Sequence, residues 1–472
     1  MLNIRCARKV SAYVAAAALI GPALVLAPTR TGAQPYAVPP TWGGDFWSRP
    51  RLTGDWGGLR DELGAKGVVL DVDVLATPMD VVSGGTSNGG NAWGNVDYTL
   101  NLDTQKLGLW PGGFAKVSVD TSFGTAVNNS GAIIPINTAT LIPAPNDRTT
   151  ALMNATFMQF LSTKFGVLLG KFNMLDSAEQ EFYGDYRTQF LNTAFNFPMT
   201  TAFAPISAFG GGAIALPTPD LTLSVLALGS DNTPSDNDVG DAFSKGTTVV
   251  GSAAVTIRPF GLVGHQSLSF LWSSQNRFSL EQDPQNLARI FLQNQYPRLD
   301  NPGPIFEALL ARFFPGLPPV VPPNQESSSW ALGYAFDQYL WQPADDPKHG
   351  VGLFFSFGAS DGNPNPIKYA FLAGIGGKGV PGRSDDTYGV GFARTQFSSA
   401  FVPFLRERLG LGLDHEDAFE LYYNLALTGW LSVTPDLQVV NPGLKRTLNS
   451  SGTALANVGT ATIAGIRLRV RF

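Results

Sequence analysis

The sequence predicts an all-β fold: a transmembrane antiparallel β-barrel of about 16 strands, preceded by a short N-terminal periplasmic helix. Residues 462–472 alternate with period two, the period of a β-strand. The apolar side chains of one face and the basic side chains of the other are Ile466, Leu468, Val470 and Phe472, then Arg467, Arg469 and Arg471. Charged residues make up only 15% of the chain, against about 25% in a typical soluble protein. No stretch after residue 30 is apolar for the 18 or so residues of a membrane helix, so any membrane crossing is by strands.

The side on which the apolar face lies distinguishes a soluble sheet from an outer-membrane barrel. An edge strand of a soluble sheet also alternates, but it turns its apolar face to a core. An outer-membrane barrel turns the apolar face to lipid and the charged face to an aqueous lumen. A last strand that ends on Phe472 is typical of such barrels, whose assembly machinery reads the terminal aromatic residue.

Residues 1–33 are predicted to be a secretory signal peptide. Arg5, Arg8 and Lys9 precede an apolar stretch over 10–27, and Thr31-Gly32-Ala33 is the preferred cleavage site. A retained helix, acting as an anchor, is the alternative. The single cysteine lies in this segment, which leaves no disulfide or thiol chemistry for the mature chain. Removing its four basic residues takes the formal charge from −5 to −9, which argues against a nucleic-acid partner.

The remainder divides into a periplasmic N-terminal segment, 34–66, and a barrel, 67–472. In the first, Asp55–Leu63 predicts a short amphipathic helix with Leu59 and Leu63 one turn apart. In the second, alternating segments of strand length open at Val69, Asn95, Phe114, Leu152, Phe165, Ile206, Leu221, Thr247, Gln266, Ser329, Val351, Tyr369, Thr387, Phe419, Leu431 and Thr462. Long connections at 124–150, 173–205, 276–327 and 441–461 fall on one side. Sixteen strands enclose an aqueous channel, because side chains alone cannot fill the lumen.

Short motifs spread along the chain resemble the carbohydrate-selective porins of the OprB type. They are Leu52–Arg60, Leu102–Leu107 with Trp110–Gly113, Gly170–Asp176, Glu420–Asn424, Trp430-Leu431, Pro435–Gln438, Asn441–Gly443 and Gly465–Arg467. The resemblance implies an outer-membrane channel for facilitated diffusion of mono- or small oligosaccharides. A general or small-ion-selective porin is the alternative, and a barrel without a channel is a third. The expected partners are a sugar, outer-membrane lipid and lipopolysaccharide, and the barrel assembly machinery through Phe472; the porin would be a monomer or a homotrimer.

Two sets of residues are predicted to line or narrow the pore. Strand alternation predicts that the following side chains face the lumen: Asp71, Asp73, Lys116, Asp120, Lys171, Glu420, Gln438, Arg467, Arg469 and Arg471. These charges either hydrate the wall or form a ladder that binds hydroxyl groups. Loop 173–205 is the predicted constriction, through Asp176, Glu179, Glu181, Tyr183, Asp185, Tyr186 and Arg187. Its rings would stack on a sugar while its charges take the hydroxyl groups. Loop 276–327 is the competing candidate.

Other motifs favour no enzyme, metal or cofactor. Gly374–Gly379 fits G-x-G-x-x-G, but no helix follows, so we expect a flexible turn. Asp414–Asp417 is expected to be a solvated loop; the alternative is a site for a divalent ion that bridges lipopolysaccharide. The three histidines, His265, His349 and His415, do not combine with a serine as a hydrolase requires.

Overall fold

The computed structural model describes residues 36, 38–143, 150–177, 180–196, 198–201, 203–230, 234, 237, 239–282, 323–344, 346, 348–400, 406, 410–448 and 454–472. The predicted signal peptide, Glu179 and most of loop 276–327 therefore lie outside the described residues. Within the described part of the chain, no helix is both long enough and apolar enough to cross a membrane.

Sixteen of the described strands form one closed antiparallel barrel in which every strand pairs with its neighbours in sequence. In chain order, β1 to β16 are Val68–Gly85, Gly89–Asp103, Gly113–Gly124, Thr150–Ser162, Phe165–Asn173, Ser207–Thr218, Leu221–Gly229, Thr247–Ile257, Gly264–Ser273, Ser329–Trp341, Gly350–Ser360, Ile367–Val380, Arg383–Phe397, His415–Ala426, Leu431–Asn441 and Gly459–Arg471. Two short hairpins, Arg277–Phe278 with Gln325–Glu326 and Arg446–Leu448 with Leu455–Asn457, lie in long loops. The predicted number of strands and the barrel closure are confirmed.

Alternation predicts strands over Val69–Val74, Tyr369–Ile375 and Thr387–Thr395, and all three are longer in the structure. β1 continues to Gly85 and pairs with β2 as far as Val81 opposite Gly89, so the first connection is short. Pro78 and the glycine-rich stretch after it had hidden this half of the hairpin. Likewise β12 continues to Val380, and β13 already begins at Arg383. The expected flexible turn at Gly374–Gly379 is therefore strand.

The two faces of the wall follow the predicted alternation. On β16, Ile466 and Leu468 are 45% and 39% exposed, whereas the side chain of Arg467 between them is fully buried inside. Large aromatic side chains are exposed at the ends that carry the short turns, as at Trp110, Phe260 and Trp341. Such an apolar band with aromatic rings at its edge suits a membrane and its interface.

The N-terminal segment contacts both the first strand of the barrel and the residue that follows the last strand. Its helix α1, Leu59–Ala65, begins later than predicted and buries Arg60 and Gly64, while Leu59 is 51% exposed. The Arg60 guanidinium lies between the rings of Trp42 and Trp56, at 5.4 and 4.9 Å. It donates to Asp71 on β1 and to the backbone oxygen of Phe472 after β16, both at 3.0 Å. The segment thus fastens the seam at which the barrel closes.

We expect Leu421→Arg, in the middle of β14, to destabilise the folded barrel in lipid by about 2–4 kcal/mol, because the 48% exposed Leu421 side chain faces hydrocarbon. Leu427→Arg is the matched control: its side chain is 49% exposed, but it lies after the strand, at the interface, where the cost falls to about 0–1 kcal/mol. Urea titration of both variants in lipid vesicles measures the difference. Equal losses would place the hydrocarbon boundary elsewhere.

Candidate functional site

A charged cavity of about 710 Å³ lies inside the barrel. Its wall comes from the short-turn halves of β1 to β5 and β7 to β10, from the end of β16, from the N-terminal segment, and from the loop after β5. We call that loop, 174–206, L3, and the loop after β3, 125–149, L2. The cavity is the candidate solute path.

L3 turns into the lumen because its aromatic side chains pack on the inner wall. The Phe190 ring stacks on Phe195 at 4.4 Å and meets Tyr422 of β14 edge-on at 4.7 Å. The wall makes room for the loop with glycine: a Cβ on Gly376 or Gly391 would lie 2.5 or 2.6 Å from Phe182 or Phe195. The glycine motif of β12 is therefore a packing surface for L3.

Polar side chains of the wall fasten L3 at two further points. The Glu420 carboxylate accepts the backbone N–H groups of Leu191 and Asn192 at 2.5 and 2.9 Å. The Arg467 guanidinium donates to the carbonyl oxygens of Tyr186 and Gln189, both at 2.8 Å. Both wall residues point inward as predicted, but they hold the loop rather than face open water.

L2 is folded inward as well, which the sequence did not indicate. The carboxylate of Glu416 accepts the backbone N–H groups of Ile133, Ile134 and Gly443 at 2.8, 2.9 and 2.8 Å. Glu416 is 4% exposed, so the expectation that residues 414–417 form a solvated loop is wrong for this residue. His415 already belongs to β14.

The cavity wall on the side of β1 to β3 is a chain of ion pairs. Arg187 of L3 contacts Asp97 of β2 at 3.0 Å and Asp176 at 3.5 Å, and Lys116 of β3 contacts Asp176 at 2.6 Å. Burial alone would raise the pKa of the Asp176 carboxyl, but Lys116 and Arg187 hold it below its ordinary value. The Asp176 carboxyl therefore stays ionised at neutral pH.

A second polar group lies on the opposite wall. β2 and β10 are eight positions apart in the ring of sixteen strands, so Asp97 and Asp337 face each other across the lumen. His265 contacts Asp337 at 2.7 Å, and Glu181 of L3 accepts from Lys378 at 2.9 Å and from the Tyr339 hydroxyl at 2.6 Å. A solute in the cavity meets hydrogen-bonding charges on both sides.

The family model for the carbohydrate-selective porins, OprB family, matches residues 87–472. This chain belongs to that family. The motif at Leu52–Arg60 lies before the matched residues. The porin is similar to the high-pH structure of Pseudomonas putida OprB, with a TM-score of 0.71 and 21% identity over 91% of this chain and all of that one. Against the low-pH structure of the same protein the TM-score is 0.53, with 16% identity over 90% of this chain and 99% of that one. No curated protein sequence matches the chain.

The remaining predicted pore residues take different places in this outer-membrane porin. Arg469 pairs with Asp73 at 2.5 Å, and Asp71 pairs with Arg51 of the N-terminal segment at 2.6 Å. Lys171 is fully buried and donates to the Pro234 carbonyl at 3.0 Å. It therefore holds the loop after β7 rather than lining the path.

The loop aromatics are not open to the lumen. Tyr183 is 4% exposed and lies 5.1 Å from the ring of Phe354, and Tyr186 is 2% exposed. Asp185 shapes the turn by accepting the backbone N–H of Arg187 at 2.8 Å. Of the described L3 residues, Asp176, Gln180, Glu181 and Arg187 line the cavity.

Sequence reasoning missed Asp97, His265, Asp337 and Lys378 as members of the site. Asp97 and Asp337 lie on predicted strands, and strand alternation alone could have assigned them to the inner face. Their importance depends on their height along the barrel, which alternation does not give. L2 carried no charge pattern that would mark it as an inward-folded loop.

Arg187→Ala is expected to raise the conductance and shift the channel toward cation selectivity, because Asp97 and Asp176 lose a shared cation. The reversal potential in a salt gradient across a planar bilayer measures this. Arg394→Ala is the control, since Arg394 pairs with Asp417 at 2.6 Å on the outer face. An unchanged reversal potential in Arg187→Ala would place the selectivity charges elsewhere.

Glu420→Ala is expected to loosen L3, because two backbone N–H groups lose their acceptor in a buried place. Single-channel recordings should then show larger and noisier currents, while the gel migration of the folded barrel is retained. Glu62→Ala, at an exposed position of α1, should leave the currents unchanged. Quiet currents of native size in Glu420→Ala would show that aromatic packing alone fixes the loop.

Proposed function

We propose that the porin carries mono- or small oligosaccharides by facilitated diffusion, with L3 as the narrowest part of the path. The observation that carries the proposal is the pair of facing polar walls: Arg187, Asp97 and Asp176 on one side, and Glu181 with His265–Asp337 on the other. The constriction residues we assign are Lys116, Asp176, Glu181 and Arg187, which the sequence predicts to line the pore, together with Asp97.

The chemistry of these walls suits a sugar. Each hydroxyl group can donate to a carboxylate and accept from a guanidinium or ammonium, and charge-assisted hydrogen bonds are stronger than neutral ones. The cavity of about 710 Å³ lies within the range of about 300–1,000 Å³ usual for small-molecule sites. A channel needs such contacts to be weak enough for release, and here the protein charges already satisfy one another in pairs.

The chain reaches the outer membrane, on this proposal, by a signal peptide over 1–33, followed by a periplasmic segment, 34–66, and the barrel, 67–472. The assembly machinery would recognise Phe472, and lipid and lipopolysaccharide would surround the wall. The mass of the detergent-solubilised porin distinguishes a monomer from a homotrimer. We assign it no enzymatic reaction and no cofactor.

One observation favours the second candidate, a general or small-ion porin without sugar specificity. The rings of Tyr183 and Tyr186 lie between L3 and the wall, so they offer no stacking surface to a sugar. Selectivity then depends on hydrogen bonds alone.

Sugar block of single-channel current decides between the two. We expect discrete conductance steps in planar bilayers and a saturable, sugar-dependent reduction of current, because a bound sugar fills the space between the walls. A panel of monosaccharides and short oligosaccharides identifies the preferred size, and a polyol of equal mass without a ring is the control. Conductance with no block by any sugar would favour the general porin.

Deleting residues 180–187 from L3 should raise the conductance and abolish the block, because it removes Glu181 and Arg187 from the path. Deleting eight residues from 276–327 should do neither. The reverse result would transfer the constriction to the later loop. Block that survives both deletions would assign it to L2.

A further inference from the structure

The inner face of β1 to β3 carries a group of buried polar side chains without a hydrogen-bond partner among the described residues. They are Thr77 on β1, Asn95 through its Oδ1 atom on β2, and Ser118 and both carboxylate oxygens of Asp120 on β3. Each is at most 1% exposed. Buried polar atoms are almost always paired, so we expect these atoms to contact a bound partner.

Strand register brings the group together around Asp120. Asp120 lies directly opposite Asp97, Ser118 lies opposite Thr99, and Asn95 lies opposite Ser122. Asn95 is therefore a diagonal neighbour of Asp120, and Ser118 precedes Asp120 by two residues on the same face of β3. Opposite residues of a sheet are about 5 Å apart and diagonal ones about 7–8 Å, which flexible side chains can bridge through one small ion.

L3 adds a further oxygen atom from the lumen side. Tyr186 is 2% exposed, and its hydroxyl group also has no partner among the described residues. The pKa of Tyr186 is raised well above its ordinary value, first by burial and then, against the opposing charge of Arg187, by the carboxylates of Asp120, Asp176 and Asp97. The Arg187 guanidinium lies 4.5 Å from the Tyr186 ring and contacts Asp97, the residue directly opposite Asp120, so Tyr186 lies beside this group.

The neighbouring cations are already engaged. Arg187 contacts Asp97 and Asp176, and Lys116 contacts Asp176. Three carboxylates, with that of Asp120, thus face two cations. The next carboxylate in the row, Asp73, has its own partners in Arg469 at 2.5 Å and Arg471 at 3.9 Å. Asp120 itself has no cation or hydrogen-bond donor in contact among the described residues.

We propose that a single alkali-metal cation, Na⁺ or K⁺, binds at Asp120 with oxygen ligands from Asn95 and Tyr186. The cation neutralises the buried Asp120 carboxylate and connects the wall to Tyr186 of L3. It is a structural ion beside the solute path and is independent of any sugar site.

The ligand chemistry favours a monovalent hard cation over other metals. Carboxylate, amide and hydroxyl oxygens suit hard cations, whereas imidazole and thiolate suit zinc, copper and iron. Within the described ranges, no group of three or more His, Cys, Asp or Glu side chains is placed to hold a metal ion. A divalent ion would also overcompensate a single negative charge.

Thermal unfolding of the folded porin in detergent tests the site. We expect the unfolding midpoint to rise and saturate as Na⁺ or K⁺ replaces N-methyl-D-glucamine at constant ionic strength, because an ion that binds only the folded state stabilises it. Asp120→Asn, which has nearly the same shape without the charge, should lose this dependence. Asp80→Asn, at an exposed position of β1, should keep it.

A midpoint independent of the cation in the native porin would overturn the proposal, and Asp120 would then be a neutral carboxylic acid. A rise produced by Ca²⁺ alone at micromolar concentration would overturn the monovalent assignment. If Asp120→Asn does not fold, anomalous density from Rb⁺ or Tl⁺ in crystals of the native porin decides. A peak in contact with Asp120 supports the site, and its absence with both ions overturns it.

Discussion

The interior of this porin depends on two carboxylates of one strand, Glu416 and Glu420. Each is buried, and each accepts backbone N–H groups from a loop inside the barrel: L2 for the first and L3 for the second. Burying a carboxylate is costly unless such hydrogen bonds compensate it. The same bonds satisfy loop N–H groups that would otherwise be buried without a partner. Without them, a wall of sixteen strands would enclose a wide and unselective hole.

Much of the fold could be predicted because a barrel wall obeys a local rule. Alternation of side chains depends only on the pleat of the strand, so the positions of the sixteen strands and the inward direction of Arg467 and Glu420 were accessible from sequence alone. Boundaries failed where proline and glycine interrupted the pattern, at Pro78 and in β12. There the wall tolerates them for different reasons: pairing continues past Pro78, and Gly376 makes room for Phe182.

The site was less accessible because it depends on which side chains meet across the lumen. Residues from strands eight positions apart, such as Asp97 and Asp337, share no local pattern. Nor does alternation tell a residue that faces water from one that holds a loop: Lys171, Glu420 and Arg467 point inward and are nevertheless covered. The aromatic residues of L3 were recognised as important, but their apolar surface favours the wall over the water-filled path.

Arg60 has a consequence for the order of assembly. Its guanidinium touches the first strand and also Phe472, which lies 412 positions after Arg60 in the chain. Contacts so distant in sequence carry a large entropic cost until the intervening chain is in place. The N-terminal segment can therefore complete its contacts only after all the strands between are laid down, and its docking marks a finished barrel.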